Sequence, residues 1–229
     1  MTENSDLKTD AGHACHRIIQ IAEQLFAEKG FEHTSIRDIT SAAQCNLAAV
    51  NYHFGSKDKL YLLIFQQHID VTREKRISAI KKLFEDQTDN VTIEQLLDAF
   101  CHAFVHPFIT DQQGKIRVQL MLQELQNPHL PDDKFAAEVI APVNQALAQA
   151  ILKIYPDLNP LTVTLCIQSV INLLMGQMMH IIHNNPMTEH IRKFMLPGFD
   201  LEKNIQHVVQ FAAAGIKSYV KENQNEKMA

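Results

Sequence analysis

Residues 35–57 read SIRDITSAAQCNLAAVNYHFGSK, and this stretch decides the fold. Ser35 opens it as an N-cap, with Asp38 three residues on where a capping box closes. Ile36, Ile39 and Ala43 follow at helical spacing, which predicts a short helix with one buried side. A second short helix starts a few residues later. Asn46 caps it, Leu47, Val50 and Phe54 give it an apolar edge, Gly55 ends it, and Ser56 caps the helix after it. Two short helices with a tight connection, following a longer one, form a helix-turn-helix candidate. In such a pair the first helix braces against the nucleic-acid backbone and the second lies in the major groove. The second helix fits that demand. Val50 and Phe54 face in, whereas Ala48, Ala49 and Asn51 leave an uncluttered outer face. Small Ala side chains permit close approach to thymine methyl groups, and Asn can pair bidentately with adenine.

Upstream, Ala22, Leu25 and Phe26 mark one face of a longer first helix. Gly30 supplies a left-handed C-terminal cap, which sets Phe31 against Phe26. Downstream, Leu60, Leu63 and Ile64 form the inner side of a fourth helix. It runs on into the basic stretch Arg73, Lys75, Arg76, Lys81 and Lys82, and residues 87–90 form a loop. Thr92-Ile93-Glu94-Gln95 is a second capping box. Apolar periodicity predicts helices over about 92–109, 114–126, 134–154, 160–184 and 201–222. Asn159-Pro160 and Asp200 are helix starts, Asn185-Pro186 is a stop, and Pro197-Gly198 is a turn. The tail after Lys221 reads as frayed. No alternating strand runs occur, so the expected class is all-α. An N-terminal helix-turn-helix domain over residues 1–56 precedes a helical domain over 57–229, with 57–86 as the connecting helix.

The chain of 229 residues carries a net charge of −5, so any nucleic-acid surface has to be local. In the helix-turn-helix region Arg37, Lys57 and Lys59 are countered by Glu32, Asp38 and Asp58. Modest nonspecific affinity and a shallow salt dependence follow. Cys15, Cys45, Cys101 and Cys166 are scattered, which fits a reducing cytoplasm better than a disulfide framework. The N-terminal residues lack the apolar core of a signal peptide. The most apolar stretch, 161–182, contains Gln168, Ser169, Asn172, Gln177 and His180, so it reads as a helix buried in protein and no membrane partner is expected.

Taken together, Leu25-Phe26, Gly30-Phe31, Thr34-Ser35, Ile36 to Ala43, Tyr52-His53-Phe54 and Ser56-Lys57 to Leu60 resemble the N-terminal pattern of the TetR family of transcriptional regulators. The likeness covers about residues 14–62. It implies that Ser35 and Arg37 touch phosphates and bases. It assigns the outward recognition positions to Leu47, Ala48, Ala49 and Asn51, beside the Asn46 cap, and implies that Tyr52, His53 and Lys57 grip the DNA backbone. Tyr52 and Phe54 also suit a plain aromatic core, and Phe54 is read that way. The sequence departs from the family at Gln44, where Gly is usual, and at Cys45, where Val is usual. A left-handed Gln44 costs roughly 1 kcal/mol more than Gly.

The resemblance further implies a C-terminal domain with a ligand cavity and a homodimer built from the last two helices. Gly176 and the run Ala212 to Gly215 permit close helix approach, while Leu173, Val208, Val209 and Phe211 supply apolar area. Residues 119–131 and 139–151 also resemble the C-terminal domain of a TetR subgroup named for CecR (or CerR). Candidate ligand-binding residues are Phe104, Phe108, Met121, Glu124, Phe135, Met175, Met179 and His180. A Met and Phe stripe of this kind equally serves as plain core. Glu124, if buried, needs a cationic ligand group or a neighbouring His.

The function implied is a ligand-responsive repressor, released from a palindromic operator by a small molecule, with no catalytic residues and no cofactor. An activator or a metal-responsive regulator on the same DNA-binding domain is the alternative. Cys101, His102 and His106 on one helix, and His180 and His183 on another, are the positions a metal would use. An enzyme finds no support in motifs: GxSxG, P-loop, HExxH and dinucleotide fingerprints are missing.

Overall fold

The computed structural model describes residues 3–86, 90–109, 112–131, 136–182 and 200–228. Among these residues the regular structure is helical throughout: α1 Glu3–Lys29, α2 Ile36–Ala42, α3 Leu47–Phe54, α4 Lys57–Asp86, α5 Ile93–Ile109 and α6 Gln112–Gln126. A single π turn, Ala136–Ile140, leads into α7 Ala141–Ile154, followed by α8 Pro160–Ile182 and α9 Leu201–Met228. The all-α expectation holds. The expected helix over 134–154 is instead a π turn joined to an α-helix. Pro142 sits in the first turn of α7 and has no N–H to carry the ladder through. The tail expected to fray after Lys221 continues as helix to Met228, and the Asn223 side chain donates to the Asp157 carbonyl at 3.2 Å. The Asn185-Pro186 stop and the Pro197-Gly198 turn lie outside the described residues.

The chain forms two compact units. One comprises residues 1–70 and 111–134, the other 71–110 and 135–229. The division differs from a boundary at residue 56, for two reasons. The 30-residue helix α4 gives its first half to one unit and its second half to the other, and α6 packs on α1.

In the first unit Ile18, Ala22 and Phe26 of α1 pack with Ile39, Val50, Leu60 and Ile64, all at most 1% exposed. Gly30 takes φ +79° and its N–H donates to the Phe26 carbonyl at 3.0 Å, which is the predicted cap. Phe31 then stacks on Phe26 with ring centroids 5.8 Å apart. Tyr61 meets Phe26 and Phe31 edge-on at 5.1 and 4.9 Å.

In the second unit α9 packs against α5 and α8, and α7 packs against α8. Leu96, Leu97 and Phe100 of α5, Leu147 and Ile151 of α7, Leu174 of α8 and Val208 of α9 make its dry interior. The helix starts read from sequence are present. Gln95 and Thr92 cap each other reciprocally, Asn159 Oδ1 accepts from Leu161 N at 2.8 Å, and Asp200 Oδ1 accepts from Lys203 N at 3.2 Å.

A candidate nucleic-acid interface on α2 and α3

The capping box at Ser35 closes fully. Ser35 N donates to Asp38 Oδ2 at 2.9 Å and Asp38 N donates to Ser35 Oγ at 3.1 Å. The Ser35 hydroxyl, which donates to Asp38 Oδ2 at 2.6 Å, and then the Ser35 N–H hold the Asp38 carboxyl below its ordinary range. The turn that follows pivots on Gln44 at φ 50°, the left-handed conformation expected there. Cys45 N donates to the Thr40 carbonyl at 3.0 Å, and Arg17 Nε donates to the Ala43 carbonyl at 2.9 Å, pinning the turn to α1. Asn46 Oδ1 accepts from Ala49 N at 2.7 Å and starts α3. At the far end Ser56 Oγ accepts from Lys59 N at 3.2 Å and starts α4.

These anchors fix the rotation of α3. Val50 is fully buried and Phe54 nearly so, confirming Phe54 as a core residue. The opposite face presents Leu47 at 48% exposure, Ala48, Asn51 and Tyr52 at 86%. Tyr52 is therefore no core aromatic. Ala49 and His53 are half-buried, and the His53 ring sits edge-on to Tyr52 with centroids 5.2 Å apart. Ser35 and Arg37 are exposed at the start of α2. Lys57 is less free than its expected role suggests. Its ammonium donates to the Phe31 carbonyl at 3.0 Å and lies 3.9 Å over the Phe31 ring, which leaves two of its three donors. Of the neighbouring acids, Glu32 is held by His129 Nε2 at 3.0 Å and Asp38 by Ser35, so the sites opposing Arg37 and Lys57 are partly engaged.

A capped helix whose outer face is small, polar and aromatic, carried on a short brace helix, is an arrangement that can enter a groove. The comparison with known proteins agrees. Residues 18–64 match the family model described as bacterial regulatory proteins, tetR family, and residues 98–215 match the tetracyclin repressor-like C-terminal domain. The chain belongs to the TetR family. The transcriptional activator FasR of Mycolicibacterium smegmatis is 25% identical over 123 residues, 54% of this chain and 50% of FasR. The dual regulator CecR of Shigella flexneri is 27% identical over 139 residues, 59% of this chain and 61% of CecR. The matches thus span about half to three fifths of these relatives. The TetR-family structure of PfmR from Thermus thermophilus shares the fold, with a TM-score of 0.59 and 19% identity over 87% of this chain and 98% of PfmR.

The eight residues expected to bind a ligand do not gather in one unit of this TetR-family chain. Phe104 and Phe108 are buried in the second unit, with ring centroids 6.4 Å apart. Met175 is half-buried there on α8. Met121 and Glu124 belong to the first unit. Glu124 is buried, but its partners are internal: Tyr61 Oη donates to it at 2.9 Å, His129 N at 2.8 Å and Leu130 N at 2.7 Å. It serves as a structural acceptor for the turn after α6, so the expected ligand or His side-chain partner is replaced by a Tyr and two backbone N–H groups. Burial and the adjacent carboxylate push the Tyr61 hydroxyl well above its ordinary range, so it stays a donor. Phe135 lies outside the described residues, as do His183 and the side chains of Met179 and His180.

The apolar residues expected at the dimer interface also sort differently. Val208 and Val209 are buried within their own unit, Leu173 is half-buried, and Phe211 is 63% exposed. Leu161, Leu165 and Tyr219 join Phe211 as exposed large side chains on α8 and α9, and the reading from sequence missed them. Their signal was available: 161 and 165 lie one turn apart, as do 211 and 215, where Gly215 follows. Of the metal positions, His102 is engaged within its own unit. His102 Nδ1 lies 2.9 Å from the Asp98 carbonyl and its Nε2 lies 3.0 Å from Glu202, so both ring nitrogens face an oxygen partner. No cluster of three metal-ligating side chains forms among the described residues.

Proposed function

We propose that the chain is a ligand-responsive transcriptional repressor. It binds a palindromic operator as a homodimer and is released by a small molecule held in the second unit. The observation that carries this reading is the outer face of α3: Leu47, Ala48, Asn51 and Tyr52 stand free of the core that Val50 and Phe54 build beneath them. Asn51 reads a base edge, Ala48 and Ala49 allow close approach, and Ser35, Arg37, Tyr52, His53 and Lys57 hold phosphates. Two such helices related by a two-fold axis suit half-sites about 34 Å apart, one turn of duplex.

The homodimer reading is supported by the exposed Leu161, Leu165, Phe211 and Tyr219, and by Gly176 and Gly215, where an added Cβ would meet nothing within 4 Å of the same chain. A cytoplasmic location follows from the DNA partner, and the four cysteines are free thiols. No described helix is long and apolar enough to cross a membrane. The name of FasR supports a second reading, that of an activator on the same site.

The test is a mobility-shift and footprinting experiment with duplex fragments from beside the gene. A protected palindrome is the expected result. Failure to retain any fragment at low salt would overturn the reading. A reporter fused to the bound promoter, in a strain lacking the gene, then gives the sign: expression rises for a repressor and falls for an activator.

A further inference from the structure

Helix α4 buries Ile69, Thr72, Arg76 and Ile80, each at most 7% exposed. Three of these are ordinary interior residues; the fourth carries a charge. The Arg76 guanidinium carbon lies 3.9 Å from the centroid of the Phe104 ring and 5.8 Å from that of Phe108. Its Nε and Nη2 are buried and make no hydrogen bond, and no carboxylate pairs with it among the described residues. Arg73, one turn earlier, differs, for it donates to the Glu138 carbonyl at 3.3 Å.

An unpaired cation in a protein interior is costly, and truncating one partner of a buried pair is costly for the same reason. Stacking on Phe104 returns less than an ionic hydrogen-bonded partner supplies. Burial lowers the Arg76 pKa only to about 10, so the group remains charged at neutral pH. As a space-filler it is a poor choice, because a Met of similar length packs on Phe without stranding N–H groups. The guanidinium fork is shaped for an oxyanion, and among the described residues none pairs with it.

We propose that Arg76, stacked on Phe104 and flanked by Phe108, is the anion-binding residue of the effector site, and that the effector is an apolar molecule carrying one oxyanion group, a carboxylate foremost. This rests on the ligand-responsive reading above and names the chemistry of its ligand. One guanidinium balances one negative charge, and the aromatic rings against it suit the apolar body next to that charge. Phe104 and Phe108, pocket residues by the reading from sequence, then line the site together with a residue that the sequence places in a basic stretch.

The experiment uses the full chain and titration calorimetry with octanoate, 4-phenylbutyrate, octyl phosphate, 1-octanol and octylammonium. Wild type should bind a carboxylate and prefer it to the alcohol and the ammonium. R76M should lose about ten- to a hundredfold in carboxylate affinity while its alcohol affinity holds. Its ligand-free melting temperature should equal or exceed that of wild type, because the unpaired charge is gone. R76K, which keeps the charge without the fork, should retain part of the carboxylate preference and covers the case in which R76M fails to fold. A preference for octyl phosphate keeps the anion site and moves its ligand class to phosphates. If none of the anions binds wild type, or if the anion-over-alcohol preference survives in R76M, the proposal falls. Operator affinity measured with each compound separates the two readings. An anion that binds through Arg76 without weakening DNA binding removes the release mechanism but leaves the site. A neutral or cationic compound that releases DNA with Arg76 uninvolved removes the site but leaves the mechanism.

Discussion

Gln44 holds a backbone conformation, φ 50°, that L side chains rarely adopt, and it does so at the pivot between the brace and the reading helix. The strain is local and its removal is cheap. Q44G should raise stability by about 1 kcal/mol in urea denaturation, since Gly meets no Cβ penalty there. A loss of stability would show that the Gln side chain makes a compensating contact. Glu124 poses the opposite problem. Its carboxylate satisfies Tyr61 Oη and the N–H groups of His129 and Leu130, so E124A strands two buried donors and one part-buried one. A cost of about 3 kcal/mol or more is expected, with Y61F costing less because two acceptor bonds remain. Equal losses in the two variants would place the tyrosine hydroxyl, not the turn, at the centre of the network. These two residues also mark what sequence can say. The conformation of Gln44 is set by neighbours in the chain, whereas Glu124 meets Tyr61 across 63 positions, and no local spacing announces that pairing.

At the scale of elements, the α2–α3 pair was legible because every restraint on it is short-range: Ser35 with Asp38, Asn46 with Ala49, Gln44 in the turn. Charge was less legible than apolarity. Arg76 stands on the stripe Ile69, Thr72, Ile80, and counting along that stripe places it inside, but its membership in a basic run hid it. The recognition helix carries a prediction of its own. N51A should weaken binding to the operator more than to random duplex, whereas R37A should weaken both and lower the salt slope by about one unit. Equal losses for N51A in the two assays would remove its base-reading role. A second prediction concerns α5 and α9. Burial lowers the His102 pKa, but hydrogen bonds to the Asp98 carbonyl and to Glu202, with the charges of both acids, raise it overall. A raised folded-state value means that the stabilisation is complete below the unfolded value of about 6.5 and disappears as pH climbs through the folded one. H102Q should therefore cost more melting temperature near pH 6 than near pH 8.5, and a pH-independent difference would deny the protonated contact.

At the scale of the molecule the question is how two reading helices reach one duplex. Leu161, Leu165, Phe211 and Tyr219 are 45–66% exposed within a single chain, and Phe211 and Leu165 sit on the two helices the TetR family likeness assigns to dimerisation. Burying side chains of this size is worth about 1.5–3 kcal/mol each, and a two-fold interface counts every one twice. The pair L165E and F211E should then break the dimer and leave the monomer folded, because neither residue belongs to the interior of its own unit. Sedimentation should show a single chain with an unchanged helical circular dichroism spectrum. Affinity for a single half-site should hold, since α3 is untouched. Affinity for the full palindrome should fall to that of the half-site, because the second reading helix is no longer delivered at high effective concentration. If the doubly charged variant sediments as wild type does, the partner packs elsewhere. If it is monomeric yet binds the palindrome undiminished, two-fold symmetry plays no part in recognition, and the operator is read by one chain at a time.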